Sequence, residues 1–237
     1  MATTTQFDSK TPNQEERIPF LENGDCLDGE EFLRRWEAMP EVKQAELVEG
    51  VVFMNAAVRF RSHGTPASAV VAWLQFYVAE TPGLECGVEA TVALDHSNLV
   101  QPDVCLLVSP EANGNCSLNE HGILEGSPEL IVEISASSAN RDLHQKKEVY
   151  EKLGVAEYIV WDVEKKEIIW FMNLPEGFLR QSPDKNGLLR SRVFPGLQLR
   201  SEDLLNRDLK ALQGIVQTGM KSAEHEKFVQ TLKKVSE

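Results

Sequence analysis

The 237-residue sequence lacks the features that mark several common classes of protein. Its four cysteines, Cys26, Cys86, Cys105 and Cys116, include no pair separated by two residues, which argues against a zinc ribbon. No run approaches the roughly 18 apolar residues of a membrane-spanning helix, and residues 1–17 contain no apolar signal core. We therefore expect a cytoplasmic protein with no membrane segment, in which Cys105 is a buried free thiol in a reducing compartment.

Positive charge is also scarce. The 24 Lys and Arg residues are outnumbered by 37 Asp and Glu residues, and the formal net charge is −13. A protein that binds nucleic acid mainly through its overall field is normally basic, so the composition disfavours tight, non-specific binding to a duplex. It is compatible with local basic contacts, or with a divalent cation that bridges clustered carboxylates to phosphate.

Hydrophobic periodicity predicts one mixed α/β domain over residues 26–213, between a flexible lead over 1–25 and a polar helical tail over 214–237. The sheet is expected to have a buried centre and helices on its faces. The predicted helices are 29–39, 62–80, about 140–153 and 201–213. The predicted strands are a hairpin over about 45–55, a strand over 84–94 with a bulge at Gly87, 104–108, 130–134, 158–163, 167–172 and 188–194. Residues 110–128 are predicted to be a surface loop.

Glu133 interrupts the apolar strand LIVEIS. Strand alternation places it with Ser135 on the face opposite Val132 and Ile134. A buried and unpaired carboxylate is costly, so Glu133 requires a cation, a metal ion or a hydrogen-bond donor. The alternative is that it lies on an edge strand or pairs with an arginine.

Asp103 stands in QPDVCLLV, at the mouth of an apolar strand. Pro102 restricts the approach of the chain, and the strand behind makes the position rigid. A turn-forming Pro-Asp pair is the simpler interpretation of these residues alone. Together with Glu133 on a neighbouring strand, however, Asp103 could share a divalent ion, and such oxygen-rich sites suit Mg²⁺ or Mn²⁺.

Lys146 is the most informative residue. On a helix over about 140–153, with roughly 100° per residue, Lys146 falls near the middle of an apolar arc, whereas Lys147 lies about a quarter-turn away, toward solvent. The arc consists of Leu143, Val149, Tyr150 and Leu153. A lysine on that arc either extends its amine to the rim of the core or meets a carboxylate or a phosphate.

Glu46 and His63 are two further candidates. Glu46 enters the first hairpin, in AELVEG, as an acid among apolar neighbours, and His63 stands at the start of the long helix. A single histidine at a helix start is more often a capping or surface residue than a ligand. Taken alone, both residues are interpreted as structural.

Several segments, in this order, resemble the Uma2 (DUF820) family. They are AELVEGVVFMN followed by His63, then QPDVCLLV, the segment from Pro128 to Asp162, and FPGLQLRSEDLL. The segment from Pro128 to Asp162 is the specific part of the resemblance, which covers about residues 30–200. The family is similar in fold to the restriction endonucleases of the PD-(D/E)XK superfamily. The resemblance therefore implies a restriction-endonuclease-like mixed central sheet flanked by helices, with an added hairpin and a C-terminal helical tail.

The resemblance also implies a site made of Glu46, Asp103, Glu133 and Lys146. In the usual superfamily motif the lysine lies two residues after the acid, where this sequence has Ser135. The Uma2 pattern instead places a lysine on the following helix, and that lysine corresponds to Lys146. Asp103 and Glu133, with Glu46 directly or through water, are then the implied ligands of Mg²⁺ or Mn²⁺.

The function implied by the resemblance is that of a Mg²⁺- or Mn²⁺-dependent endonuclease that hydrolyses phosphodiester bonds of nucleic acid, with DNA as the expected substrate. His63, Ser135, Arg141 and Lys147 are accessory candidates. Related nucleases often act as dimers, so a homodimer is one alternative for the assembly. Two other classes stay open: a nuclease fold that has lost its chemistry and serves as a binding module, and a structural partner protein that acts through its C-terminal tail.

Overall fold

The computed structural model of the chain describes residues 18–54, 58–136 and 139–233. The helices are α1 (Gly29–Glu37), α2 (Thr65–Val78), α3 (Ala139–Leu143), α4 (Gln145–Lys152), α5 (Ser201–Leu205), α6 (Leu209–Gly219) and α7 (Ala223–Lys233). A π-helical turn over Phe60–Gly64 precedes α2, and Pro110–Ala112 form a 3₁₀ turn. Most of the predicted N-terminal lead, up to residue 17, and the last four residues of the predicted tail lie outside the described residues.

The residues that the structure describes also form fourteen strands. They are β1 (Ala45–Val48), β2 (Val51–Met54), β3 (Leu84–Val88), β4 (Val92–Asp95), β5 (Asn98–Val100), β6 (Val104–Val108), β7 (Ser117–Leu118), β8 (Leu124–Glu125), β9 (Leu130–Ser135), β10 (Glu157–Asp162), β11 (Glu167–Leu174), β12 (Gly177–Arg180), β13 (Leu189–Arg190) and β14 (Gln198–Leu199). Within the described ranges, no helix has the length and apolarity needed to cross a bilayer.

Two six-stranded sheets form the body of the protein. The central sheet has the order β12-β11-β10-β9-β6-β3, and the hairpin sheet has the order β2-β1-β5-β4-β8-β7. The central sheet is mixed, because β9 and β10 are parallel whereas β9 and β6 are antiparallel. The predicted mixed α/β architecture is confirmed, and the predicted first hairpin belongs to a second large sheet.

Both faces of the central sheet are covered. On one face, Val132 and Trp161 pack against Trp73 and Tyr77 of α2 and against the C-terminal helices. The other face, which includes Ile131, packs against α4 and the hairpin sheet, and α1 covers the far side of the hairpin sheet. Every residue of β9 and β10 is buried. A polar side chain on the Ile131 face of β9 therefore lies inside the protein, between the two sheets.

The segment predicted as one strand over 84–94 is two strands in different sheets. β3 pairs with β6 in the central sheet, whereas β4 pairs with β5 in the hairpin sheet. Glu89 between them has a φ of 49°, in the left-handed region that non-glycine residues seldom adopt. The predicted continuity was wrong because side-chain alternation describes each half of the segment but does not show the turn that separates them.

Two predicted helices are each divided in two. The helix predicted over about 140–153 is α3 and α4, which are separated at His144 (φ −122°, ψ −83°). The helix predicted over 201–213 is α5 and α6, and the side chain of Asp208 caps α6 by accepting a hydrogen bond from the amide of Ala211. α6 continues to Gly219, through the position at which the C-terminal tail was predicted to begin.

Two further segments differ from the prediction in detail. The predicted loop over 110–128 contains the short hairpin β7–β8, and β8 extends the hairpin sheet by pairing with β4. The strand predicted over 188–194 is limited to β13, which pairs only with β14 in a separate two-stranded sheet.

Candidate active site

The amine of Lys146 is buried between two carboxylates. Its Nζ atom lies 2.7 Å from Oε1 of Glu46 and 2.8 Å from Oε1 of Glu133. Only 2% of the lysine side chain is exposed, so the amine does not extend to the rim of the core. Glu46 comes from β1 of the hairpin sheet and Glu133 from β9 of the central sheet. Lys146 on α4 thus joins the two sheets.

Two neutral groups also donate hydrogen bonds to these carboxylates. The hydroxyl of Tyr150 donates to Oε1 of Glu133 over 2.9 Å, and the amide of Gln101 donates to Oε1 of Glu46 over 2.9 Å. Sequence analysis assigned Tyr150 only to the apolar arc and missed its hydroxyl. The four-residue spacing between Lys146 and Tyr150, which places both on one helix face, was the available signal.

Asp103 is held at the start of β6 by two donors. Its Oδ2 accepts a hydrogen bond of 2.6 Å from the amide of Ile134, and its Oδ1 lies 2.9 Å from Nε2 of His63. The bond to the β9 backbone places Asp103 beside the strand that carries Glu133. The two carboxylates predicted to share an ion are therefore next to each other, with Asp103 directly before β6 and Glu133 on the neighbouring strand β9.

His63 reaches Asp103 from the π-helical turn before α2. Two wide-turn hydrogen bonds define that turn, from the amide of Gly64 to the carbonyl of Arg59 and from the amide of Thr65 to the carbonyl of Phe60. Single π-helical turns often occur at functional sites, because the extra residue redirects one side chain. Sequence analysis interpreted His63 as a helix-start residue, and the structure adds its contact with Asp103.

These side chains meet in one cleft of about 470 Å³. Five of the predicted site residues line it: His63, Asp103, Glu133, Arg141 and Lys146. Glu46 lies behind Lys146, and Nη2 of Arg141 is 3.4 Å from Oε2 of Glu46. The cleft therefore contains both carboxylates and the lysine on which the predicted chemistry depends.

Two accessory candidates occupy other positions. Ser135 is fully buried, and its hydroxyl donates a 2.6 Å hydrogen bond to Oδ2 of Asp142, an acid that lines the cleft and that sequence analysis missed. Lys147 does not line the cleft. Its Nζ lies 5.2 Å from the centre of the Phe171 ring and 3.6 Å from Glu151, and these contacts hold it on another surface. Lys147 therefore lies apart from the other predicted site residues, and its accessory role stays a prediction.

Negative charge exceeds positive charge around Lys146. Burial raises the pKa of Glu133 to about 8, against the opposing effect of Lys146, and the carboxylate of Asp103 raises this pKa further. Burial would also raise the pKa of Glu46, but Lys146 and Arg141 hold that pKa below its ordinary value. Burial would lower the pKa of Lys146, but Glu133 and Glu46 raise it. These shifts favour a charged Lys146, an ionised Glu46 and a protonated Glu133.

Asp103 and Glu133 are the carboxylates available to a divalent ion. The hydrogen bonds that Glu133 accepts from Lys146 and Tyr150 both end at Oε1, and burial leaves this carboxyl in need of positive charge. In the same part of the chain, no three His, Cys, Asp or Glu side chains are grouped to hold a metal ion. Mg²⁺ usually keeps several waters and takes one or two carboxylates together with substrate phosphate. The residues fit such a site, and they do not fit one built wholly from protein ligands.

Comparison with known proteins points to one family. The sequence profile of the Uma2 family, described as "Putative restriction endonuclease", matches residues 30–202. The crystal structure of a putative nuclease belonging to DUF820 from Anabaena variabilis matches with a TM-score of 0.56 at 16% sequence identity, covering 74% of this chain and 97% of that chain. At this identity the likeness concerns the fold alone. None of the curated proteins compared with the chain matches it.

Proposed function

The chain belongs to the Uma2 family, and from this membership we propose that it is a metal-dependent endonuclease that hydrolyses phosphodiester bonds of DNA. The family and the similar structure both point to a nuclease. The observation that carries the finer proposal is the convergence of Asp103, Glu133 and Lys146 on one cleft. A buried lysine beside an acid, with a second acid at the start of the next strand, suits phosphoryl chemistry.

The charge of the cleft supports the need for a cation. Five acids line it, Glu89, Asp103, Glu133, Asp142 and Glu164, against the three permanent cations Arg59, Arg141 and Lys146. When Glu133 is ionised, negative charge is in excess and a phosphodiester entering this cleft would be repelled. A divalent ion reverses the local field and makes the same carboxylates favourable to phosphate.

In the proposed reaction, Asp103 and Glu133 hold Mg²⁺ or Mn²⁺. When bound, such an ion would polarise the phosphodiester and lower the pKa of a bound water. Glu133 must first release its proton, and Lys146, at 2.8 Å, favours the ionised form. Lys146 also places a permanent positive charge where negative charge develops on phosphorus oxygens in the transition state.

Three other residues act by positioning. Glu46 holds the amine of Lys146 from the opposite sheet, Tyr150 fixes the rotamer of Glu133, and His63 together with the amide of Ile134 orients Asp103. Such supporting contacts matter because displacement of a reacting group by about 1 Å can reduce a rate by roughly a hundredfold.

The test is nicking of supercoiled plasmid in Mg²⁺ or Mn²⁺, with EDTA as the metal-free condition. We expect Asp103→Asn and Glu133→Gln each to reduce the metal-dependent rate by about a hundredfold or more, since each removes one proposed metal ligand. Glu176→Gln, at an exposed turn, is the matched control and should cleave as the wild type does. Circular dichroism of each variant verifies folding. Cleavage by both site variants at the wild-type rate, or no cleavage by the wild type in either metal, would overturn the proposal.

One observation favours a second candidate, a non-catalytic binding module on a nuclease fold. The amine of Lys146 is already paired with two carboxylates, an arrangement that can serve stability alone. Calorimetric titration with Mn²⁺ separates the two candidates. Binding by wild type that is lost in Glu133→Gln supports the nuclease, whereas no Mn²⁺ binding by the folded wild type supports the binding module.

A further inference from the structure

The mouth of the cleft carries an exposed aromatic ring between two arginines. Arg59, Phe60 and Arg61, here called the rim turn, are all exposed on the π-helical turn that also supplies His63 to the site. Phe60 is 77% exposed, the highest value among the large hydrophobic side chains of the described residues. A phenylalanine this exposed contributes little to the hydrophobic core, so we looked for a ligand that its ring could contact.

The two arginines are available to a ligand. Six arginines form ion pairs with carboxylates of the chain: Arg34, Arg35, Arg141, Arg180, Arg190 and Arg200. Arg59 and Arg61 form no such pair with any residue that the structure describes. In a chain of net charge −13, these two arginines form a small basic patch beside an acidic cleft.

The rim turn is continuous with the candidate active site. Val58 and Arg59 line the cleft on one side of Phe60, and Ser62 and His63 line it on the other. A strand whose phosphate lies beside Lys146 would therefore pass the ring of Phe60. Arginine suits the flanking phosphates because its guanidinium makes bidentate bonds to phosphate oxygens.

We propose that the rim turn binds single-stranded DNA, with an unpaired base stacked on Phe60 and the neighbouring phosphates held by Arg59 and Arg61. Proteins that bind single strands combine aromatic stacking platforms with basic contacts to the backbone. In a continuous duplex the base faces are covered by their neighbours, so the exposed ring has no partner there without unstacking. Stacking of a base on an aromatic ring does not depend on the net charge of the protein, so it is compatible with a chain of net charge −13. The inference rests on the proposed function and narrows its substrate to DNA with unpaired nucleotides.

The first test is equilibrium binding of the full chain to a fluorescein-labelled oligothymidylate, and to a duplex of oligothymidylate and oligoadenylate of the same length. EDTA is present so that binding is measured without cleavage. We expect the single strand to bind more tightly than the duplex. Phe60→Ala should weaken single-strand binding by at least about fivefold, the lower end of what one base–aromatic stack contributes, and Phe60→Trp should retain it. Phe20→Ala removes another exposed ring and should have no effect.

The arginines are tested through the salt dependence of the same binding. Loss of one phosphate contact in Arg61→Gln should reduce the slope of log K against log salt by about 0.7. Arg207→Gln, which changes an exposed arginine outside the cleft lining, should leave the slope unchanged. Binding by Phe60→Ala equal to that of wild type, tighter binding of the duplex, or no binding of either form would overturn the inference.

Failure of this inference and failure of the proposed function give different results. Metal-dependent cleavage that is insensitive to Phe60 and to strandedness rejects the single-strand inference and leaves the nuclease proposal standing. Single-strand binding that depends on Phe60, with no cleavage in Mg²⁺ or Mn²⁺, supports the rim turn and rejects the nuclease proposal.

Discussion

The amine of Lys146 is in direct contact with the carboxyl group of Glu133, with Nζ 2.8 Å from Oε1, and both side chains are nearly inaccessible to solvent. The same amine contacts Glu46, so one cation serves two buried carboxyl groups from different sheets. A buried pair of this kind contributes less to stability than its short distances suggest, because both charges have lost their hydration. Removal of one partner is nevertheless costly, since it leaves the other without compensation.

We therefore expect Lys146→Met to lower the free energy of unfolding by about 3–5 kcal/mol, measured by urea denaturation. The neighbouring substitution Lys147→Met is the matched control. Lys147 is partly exposed and has a weaker pair with Glu151, so its loss should cost less than about 1 kcal/mol. Equal effects of the two substitutions would show that the buried amine has no special role in the fold.

The pH dependence of stability should reveal the proton on Glu133. Because burial raises the pKa of Glu133 from 4.5 to about 8, between these values the folded state holds a proton that the unfolded state has released. The contribution of this group therefore makes the free energy of unfolding fall as pH rises from 4.5 to about 8. Glu133→Gln should lack this contribution, and Glu176→Gln should retain it. Denaturation in EDTA across this range is the measurement, and parallel curves for wild type and Glu133→Gln would contradict the assignment.

His63 should contribute with the same sign, in a different pH range. Its hydrogen bond to Asp103 raises the pKa of His63 above 6.5, so its stabilising contribution is complete below pH 6.5 and is lost as pH rises through the folded-state pKa. His63→Gln should therefore destabilise the chain more in mildly acidic buffer than in alkaline buffer. NMR titration of the imidazole protons tests the cause directly, since Asp103→Asn should lower the pKa of His63. An unchanged titration of His63 in Asp103→Asn would contradict this cause.

Two glycines of α6 should respond in opposite directions to alanine. A Cβ on Gly219 would lie 2.0 Å from the carbonyl oxygen of Gly196, whereas a Cβ on Gly214 would meet nothing within 4 Å. We expect Gly214→Ala to stabilise the protein by about 0.5–1 kcal/mol, the helix-propensity difference between the two residues. Gly219→Ala should destabilise it by separating α6 from the backbone at Gly196. Thermal unfolding measures both, and equal midpoints for the two variants would show that α6 does not pack closely there.

Local periodicity was sufficient to predict which way the key side chains point. Alternation along β9 predicted that Glu133 lies opposite Val132, and the helical wheel predicted that Lys146 faces the core while Lys147 does not. Both are properties of a few consecutive residues. The orientation of Lys146 was predicted correctly although the helix is broken at His144, because Lys146 and the residues after it share the uninterrupted helix α4.

Contacts between segments that are distant in sequence could not be predicted from the residue pattern alone. Glu46 and Lys146 are separated by 100 residues, and only the stacking of one sheet on the other shows that they meet. The division of residues 84–94 at Glu89 was missed for a similar reason. The alternation of apolar and polar side chains does not show where a chain leaves one sheet and enters another. Asp142 was missed because its role depends on Ser135, whose hydroxyl faces the interior only once β9 is central in its sheet.

The sequence separation of Glu46 and Lys146 also bears on when the protein becomes able to act. During synthesis, β1 leaves the ribosome long before α4 has been made, and until then Glu46 has no amine to meet. The catalytic set proposed here is therefore incomplete in any nascent chain that ends before α4.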